Sequence, residues 1–212
     1  LQENQAEAAI ADCEYILTKK STDYRAHFLI GQAYKMLNRP EAAIDSLSKA
    51  IEIKNDMADI FLLRSGLLTE LKQYDQALQD VNTAIRLAPE EENAYMQRGA
   101  IYEALKDTPS ALQDYTTVVE LNPFHEQAYL ETGRLLLEQH LIEEAILHFD
   151  EAIENKPDFG RAYTARGKAK ELKGDTIGAL DDLKRGAELT EETDETSKQP
   201  VNFNEMYANR PL

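Results

Sequence analysis

The chain has 212 residues, 42% hydrophobic and 29% charged, with 23 Lys+Arg against 39 Asp+Glu for a net charge of −16, a globular composition. That acidity excludes a sequence-independent phosphate binder, whose affinity rests on Lys and Arg displacing counterions, and disfavours anionic membrane surfaces. A single cysteine, Cys13, excludes an internal disulfide and a Cys-only metal cage, and no apolar run approaches the roughly 20 residues that span a bilayer.

The chain aligns with itself at an offset of 34 residues, which places Ala9, Ala43, Ala77, Ala111, Ala145 and Ala179 in one column without a gap. Residues 1–23 match the second half of this unit and lack its first helix. The face bearing Ala9, Ile10, Cys13, Ile16 and Leu17 is therefore expected to lean on a helix beginning near Tyr24, and the segment reads as the end of upstream repeats or as a cap. Cys13 is equivalent to Leu47 and Phe149, so it reads as a small buried hydrophobe rather than a nucleophile.

Five full units follow, 24–57, 58–91, 92–125, 126–159 and 160–193. Their eighth position reads Gly31, Ser65, Gly99, Gly133, Gly167, and the fourth His27, Phe61, Tyr95, Tyr129, Tyr163. The 27th reads Ala50, Ala84, Val118, Ala152, Gly186, and the 32nd supplies Pro89, Pro123 and Pro157. Within each unit two stretches carry apolar or small residues at three- and four-residue spacing, such as Tyr95, Gly99, Tyr102 and then Ala111, Tyr115, Val118, which predicts two amphipathic helices. Pro40 and Pro109 suit the first turn of a helix, with Asp107 or Thr108 as N-cap. Pro89, Pro123 and Pro157 close the second helices. The small residues let two helix axes approach to about 8–10 Å.

This order of small and aromatic residues at a 34-residue period resembles the tetratricopeptide repeat, over residues 24–193 and half a repeat before them. The resemblance implies an all-α, right-handed superhelical solenoid of antiparallel helix pairs, about 5.5 repeats over 1–193. His27, Asn55, Lys170 and Glu191 depart from the pattern in the first and last repeats and suggest capping repeats. The seventh position, usually leucine in this family, is Arg64, Arg98 and Arg166, and the 23rd position of the same repeats is Asp80, Asp114 and Asp182. The other two repeats carry Ile30 with Ser46 and Thr132 with His148. That co-occurrence predicts an Arg–Asp bridge across each of three hairpins.

The resemblance also implies a concave groove lined by first helices, where a protein or peptide ligand would bind. Its fifth position reads Phe28, Leu62, Met96, Leu130 and Thr164, the sixth begins Leu29, Leu63, and Arg134, Arg161 and Lys168 gather at the far end. The matching partner has apolar anchors and an acidic or carboxylate end. The Lys/Asn/Arg set that clamps chaperone C-termini in one subclass is missing, because the fifth position never carries Lys. A pentatricopeptide-like RNA reader would need basic, base-reading groove residues, whereas Asp59 and Glu103 fall in this groove.

His140, Glu143, Glu144 and His148 form the densest ligand-like cluster, yet His140 falls in a turn and Glu143 opens a helix, where a carboxylate suits the dipole. His27 reads as a packed substitute for an aromatic and His125 as a turn residue. No glycine-rich phosphate loop and no G-x-S-x-G or H-E-x-x-H motif occurs. No residue is assigned to catalysis, to a cofactor or to a metal. The acidic run Thr190–Lys198 reads as a linker, with 194–212 as linker and tail. The tail's Val201, Phe203, Met206 and Tyr207 are expected to cap the last repeat.

The expected function is a non-catalytic protein- or peptide-binding scaffold or adaptor, without nucleic acid or membrane insertion, and compatible with a homo-oligomer. The alternatives are a chaperone or assembly module for a secretion or envelope complex, and an accessory interaction domain of a larger enzyme or sensor. A cytoplasmic setting is slightly favoured over an exported one.

Overall fold

The computed structural model describes residues 2–196, with side chains described for 3–190. The helices are α1 (Gln2–Lys19), α2 (Tyr24–Met36), α3 (Pro40–Ile53), α4 (Ala58–Glu70), α5 (Tyr74–Leu87), α6 (Glu92–Ala104), α7 (Thr108–Leu121), α8 (Glu126–Glu138), α9 (Ile142–Asn155), α10 (Gly160–Lys173) and α11 (Thr176–Thr196). No strand occurs among the described residues. The chain divides into two compact units, Leu1–Pro123 and Phe124–Leu212, where the sequence suggests one array. The first contains α1–α7 and the second α8–α11.

Helix starts follow local chemistry. Asp23 accepts a hydrogen bond from the Arg25 N–H, Asp107 from that of Ser110, and His125 Nδ1 from that of Ala128, each satisfying a donor left open at a helix N-terminus. Pro40 is the first residue of α3, where its missing N–H costs nothing. The second helices end in extended residues, and at Ala88, Asn122 and Lys156 the following residue is proline, which favours that backbone conformation in its predecessor.

All five turns within hairpins share one geometry. Asn38, Lys72, Lys106, His140 and Gly174 have φ between 54° and 90°. Behind each, the next N–H reaches five residues back, as in Arg39 to the Tyr34 carbonyl and Asp107 to that of Tyr102, both 2.9 Å. These are Schellman closures, which satisfy carbonyls at the end of the first helix.

In the first unit, α2 packs on α3, α4 on α5 and α6 on α7. Ala43, Ala77 and Ala111 are wholly buried at the seams. Leu47, Ile60 and Leu67 fill one core cluster, and Leu68, Val81 and Ile101 the next. In the second unit, Leu130, Ala145, Phe149, Ala152 and Ala162 form the core shared by α8, α9 and α10. Gly99 and Gly133 are needed for this closeness: a Cβ there would stand 2.6 Å from Tyr115 Cε1 and 2.5 Å from Phe149 Cε1. Where Ser65 replaces glycine, its buried hydroxyl donates to the Ala77 carbonyl at 2.9 Å.

Two local expectations require correction. In α1 the residues turned to α2 are Ala6, Ile10, Cys13 and Leu17, against Ala26, Ile30 and Ala33, whereas Ala9 and Ile16 are exposed. The column that buries Ala43 does so against the first helix of its own repeat, and no such helix faces Ala9 among the described residues. At the other end, the run read as a linker from Thr190 is helical through Thr196. Its Thr and acidic residues include no glycine or proline before Pro200 to stop a helix already propagating. The cap expected of Val201, Phe203, Met206 and Tyr207 lies outside the described residues.

Candidate functional site

In the first unit, successive first helices form a groove of about 630 Å³. α2 contributes Phe28, Gln32 and Lys35, and α4 contributes Asp59, Leu62, Leu63 and Gly66. Glu91, Asn93 and Gln97 close it from the start and middle of α6. Of the fifth-position residues, Phe28 and Leu62 therefore meet in the groove, half-buried, while Met96 is half-buried outside this lining. Leu29 is 48% exposed and outside it too.

Gln97 is the residue that positional reasoning passed over. Its amide lies across α4, with the nitrogen donating to the Leu62 carbonyl at 3.2 Å and the oxygen accepting from the Gly66 N–H. That approach depends on Gly66, where a Cβ would stand 2.9 Å from the near end of the Gln97 amide. The groove thus offers an apolar strip from Phe28, Leu62 and Leu63 flanked by amides and by charges of both signs. Such a surface suits an extended chain, whose side chains alternate and whose backbone needs donors and acceptors.

In the second unit, α8, α9, α10 and the side of α11 at Thr190 enclose a narrower cleft of about 310 Å³. It is here that Leu130, Arg134, Arg161 and Lys168 come together. Leu130 is only 4% exposed and forms floor rather than an open anchor, a correction to the apolar ladder that arises because its side chain is drawn into the core with Phe149. Ala165 and Leu137 extend the apolar wall. Glu131, which the sequence places merely at a variable sixth position, sits among the cations. It accepts from Arg134 Nε at 2.9 Å and lies 3.7 Å from Arg161 Nη2.

The arginines of the seventh position meet the aspartates of the 23rd in both units. Arg64 Nε and Nη2 donate to Asp80 at 2.7 Å each, Arg98 to Asp114 at 2.9 and 2.6 Å, and Arg166 to Asp182 at 2.8 and 2.7 Å. The planar fork matches the carboxylate. The third arm, Nη1, reaches the preceding repeat: Ser48 Oγ from Arg64 (2.9 Å), Asn82 Oδ1 from Arg98 (2.7 Å), and Asp150 Oδ1 from Arg166 (2.6 Å). Each arginine is thus a staple across a repeat boundary. The acceptors sit 16 residues before each arginine as the aspartates sit 16 after, a symmetry present in the sequence but masked by three different acceptor types.

Electrostatics follow from this geometry. The hydrogen bond to Asp114 raises Arg98 above its ordinary pKa despite desolvation, and Tyr95 and Tyr102 stack their rings 5.6 and 6.0 Å from its guanidinium. Arg166 is raised likewise by Asp182. Burial alone would raise the Asp182 carboxyl, but hydrogen bonds from Arg166 and Lys170 together hold it below its usual value. In the fourth full repeat, one of the two without the pair, Thr132 Oγ1 and His148 Nδ1 are buried with no hydrogen-bond partner among the described residues. Burial pushes the His148 pKa down, opposed by Glu151 and Glu144.

Among the described residues, no three His, Cys, Asp or Glu side chains are placed to share a metal ion. His140 occupies the left-handed turn position, apart from His148 on α9. Cys13 is buried, and burial raises its thiol pKa, which disfavours the nucleophilic thiolate. No described helix is long and apolar enough to cross a membrane.

Helix hairpins with close small-residue seams and open first-helix faces define a helical-repeat scaffold of the protein-interaction class. The chain belongs to the tetratricopeptide repeat family, whose models match residues 67–126, 107–158 and 130–188, and also 24–57. Solved structures share the fold at low identity. MamA from Desulfovibrio magneticus RS-1 aligns at TM-score 0.72 and 20% identity, over 81% of this chain and 97% of its own. YrrB, described as a TPR protein with an unusual peptide-binding site, aligns at 0.67 and 20%, over 84% and 91%. PilF from Pseudomonas aeruginosa aligns at 0.73 and 18%, over 99% and 92%. No curated protein sequence matches the chain.

Proposed function

We propose that this chain is a non-catalytic adaptor that holds an extended peptide segment of a partner protein on its first-helix faces. The observation that carries the reading is the first-unit groove, where Phe28, Leu62 and Leu63 form an apolar strip beside Gln32, Asn93 and Gln97. Apolar area supplies affinity, at about 25 cal/mol per Å² removed from water, and the amides fix a backbone. The peptide-binding site named for YrrB supports a peptide as the class of ligand. The second-unit cleft extends the reading to a partner that also carries negative charge. A metal, a cofactor and nucleic acid have no part in it.

Phe28→Ser and Leu62→Ser change half-buried groove residues without touching the wholly buried seams. Pull-down with the intact chain and with this double variant, matched in far-UV circular dichroism, is expected to show loss of specifically retained partners from the variant. Equal recovery of every partner by both proteins would discard the groove reading.

A further inference from the structure

The cleft of the second unit contains its own carboxylate, and the repeat pattern does not require one there. Glu131 occupies the sixth position, where the other repeats carry Leu29, Leu63, Gln97 and Ala165. Its side chain is only 14% exposed. It accepts hydrogen bonds from Gln127 Nε2 and Arg134 Nε and lies within ion-pair reach of Arg161 Nη2. Donors from α8 and α10 thus converge on one carboxylate, the arrangement by which proteins recognise such a group.

The cations are not used up by it. Arg161 remains 66% exposed while it pairs with Glu131. Lys168, two helical turns further along α10, is exposed and makes no ion pair among the described residues. Between them Ala165 and, from α8, Leu137 present apolar surface. The electrostatic setting is local: the cleft lining carries Arg134, Arg161 and Lys168 against Glu131, in a chain whose net charge is −16. An anionic group meets an excess of cations within this lining.

We infer that this cleft is a carboxylate-recognition site in which Glu131 acts as a resident competitor. The ligand is a peptide segment of a partner with a carboxylate beside a bulky apolar residue. Its carboxylate takes the Arg161 and Lys168 donors as Glu131 gives up Arg161 and stays on Arg134 and Gln127. The apolar neighbour covers Leu137 and Ala165. One carboxylate replaces another on Arg161, which stays largely solvated in the resting state, and Lys168 supplies the gain. Glu131 thereby sets a threshold: weakly acidic segments fail to displace it. This inference rests on the first-helix faces being ligand faces.

Fluorescence anisotropy on the full chain tests it with a labelled decapeptide containing one Phe-Glu-Leu triplet in a Gly/Ser background, and its Phe-Gln-Leu counterpart. The Glu peptide is expected to bind more tightly than the Gln peptide, with the preference shrinking as salt rises. Glu131→Gln is expected to strengthen Glu-peptide binding about tenfold, and Lys168→Ala to weaken it about tenfold. Unchanged or weaker binding by Glu131→Gln, equal binding of the two peptides, or no binding by either protein overturns the proposal. Should Glu131→Gln lose helicity, Lys168→Glu at an exposed site decides, since it must abolish the preference for the Glu peptide. The Phe28→Ser/Leu62→Ser variant keeps this second-unit binding, so failure of the first-unit groove reading is distinguishable from failure here.

Discussion

At the scale of single residues, the arginine staples and the Thr132/His148 position that lacks one have opposite consequences. Asp114 has a side chain only 4% exposed and is held by the two parallel bonds of Arg98. Removing one partner leaves a charge buried without compensation, and Arg98→Met is expected to destabilise by about 3 kcal/mol, whereas Arg98→Met/Asp114→Leu recovers most of the loss. Urea denaturation of the single and double variants measures both, and equal losses would show that the pair contributes nothing beyond its packing. In the repeat carrying Thr132 and His148, the orphaned hydroxyl is a cost rather than a support. Thr132→Val keeps the shape and is expected to stabilise by about 1 kcal/mol, seen as a higher urea midpoint at unchanged slope. His148 adds a dependence on pH. Its native pKa lies below the ordinary 6.5, so the unfolded chain takes up the proton first as pH falls. Stability is therefore complete above 6.5 and declines below it through the native pKa. His148→Leu is expected to flatten that part of the stability–pH curve, and an unaltered slope between pH 6.5 and 5 would exclude His148 as its source.

At the scale of helices and hairpins, the seams set the tolerances. A methyl group at residue 133 would press on the ring of Phe149, which is wholly buried and has no exposed end to yield. Gly133→Ala is expected to cost about 1–2 kcal/mol, overpacking of about 1–3 kcal/mol being partly offset by helix propensity of about 1 kcal/mol. Adding Phe149→Leu should reduce that penalty, so a double variant no better than the sum of its parts would contradict the steric account. The helices themselves were legible in the sequence because each small residue in a column reports a close approach that recurs every repeat. The turns were less legible. Gly174 is a residue type that announces φ > 0, but Asn38, Lys72, Lys106 and His140 adopt the same conformation under compulsion of the Schellman bonds that follow them. The bifurcated reach of the arginines was half legible: aspartate recurs at one acceptor position, while Ser48, Asn82 and Asp150 share no residue type. Glu131 was invisible as a site residue because its role depends on which side chains of two helices converge on it.

At the scale of the whole molecule, the 34-residue register passes through Pro123 and Phe124 without a gap, so repeat spacing carries no sign of the division into two compact units. Periodicity reports the packing rule of each repeat, not how tightly consecutive repeats are grouped. Stability in such an array is a sum of terms for repeats and for their nearest neighbours, and an element with one neighbour must open first. Among the described residues of the first unit, α1 has its main packing on α2. It buries Ala6, Ile10, Cys13 and Leu17 against α2 and turns Tyr15 and Ile16 outward at 65% and 46% exposure. By contrast, α4 is packed between α3 and α5 and wholly or almost wholly buries Ile60, Leu67 and Leu68. Local opening free energies follow buried contacts, so amide hydrogen exchange in the intact chain is expected to be fastest within the first unit's helices for peptides from 2–19 and slowest for those from 58–70. Ile10→Ala should accelerate exchange in α1 while leaving the α4 peptides unchanged. If α1 and α4 instead exchange together at one rate, the first unit opens as a single cooperative body, and the nearest-neighbour description fails for it.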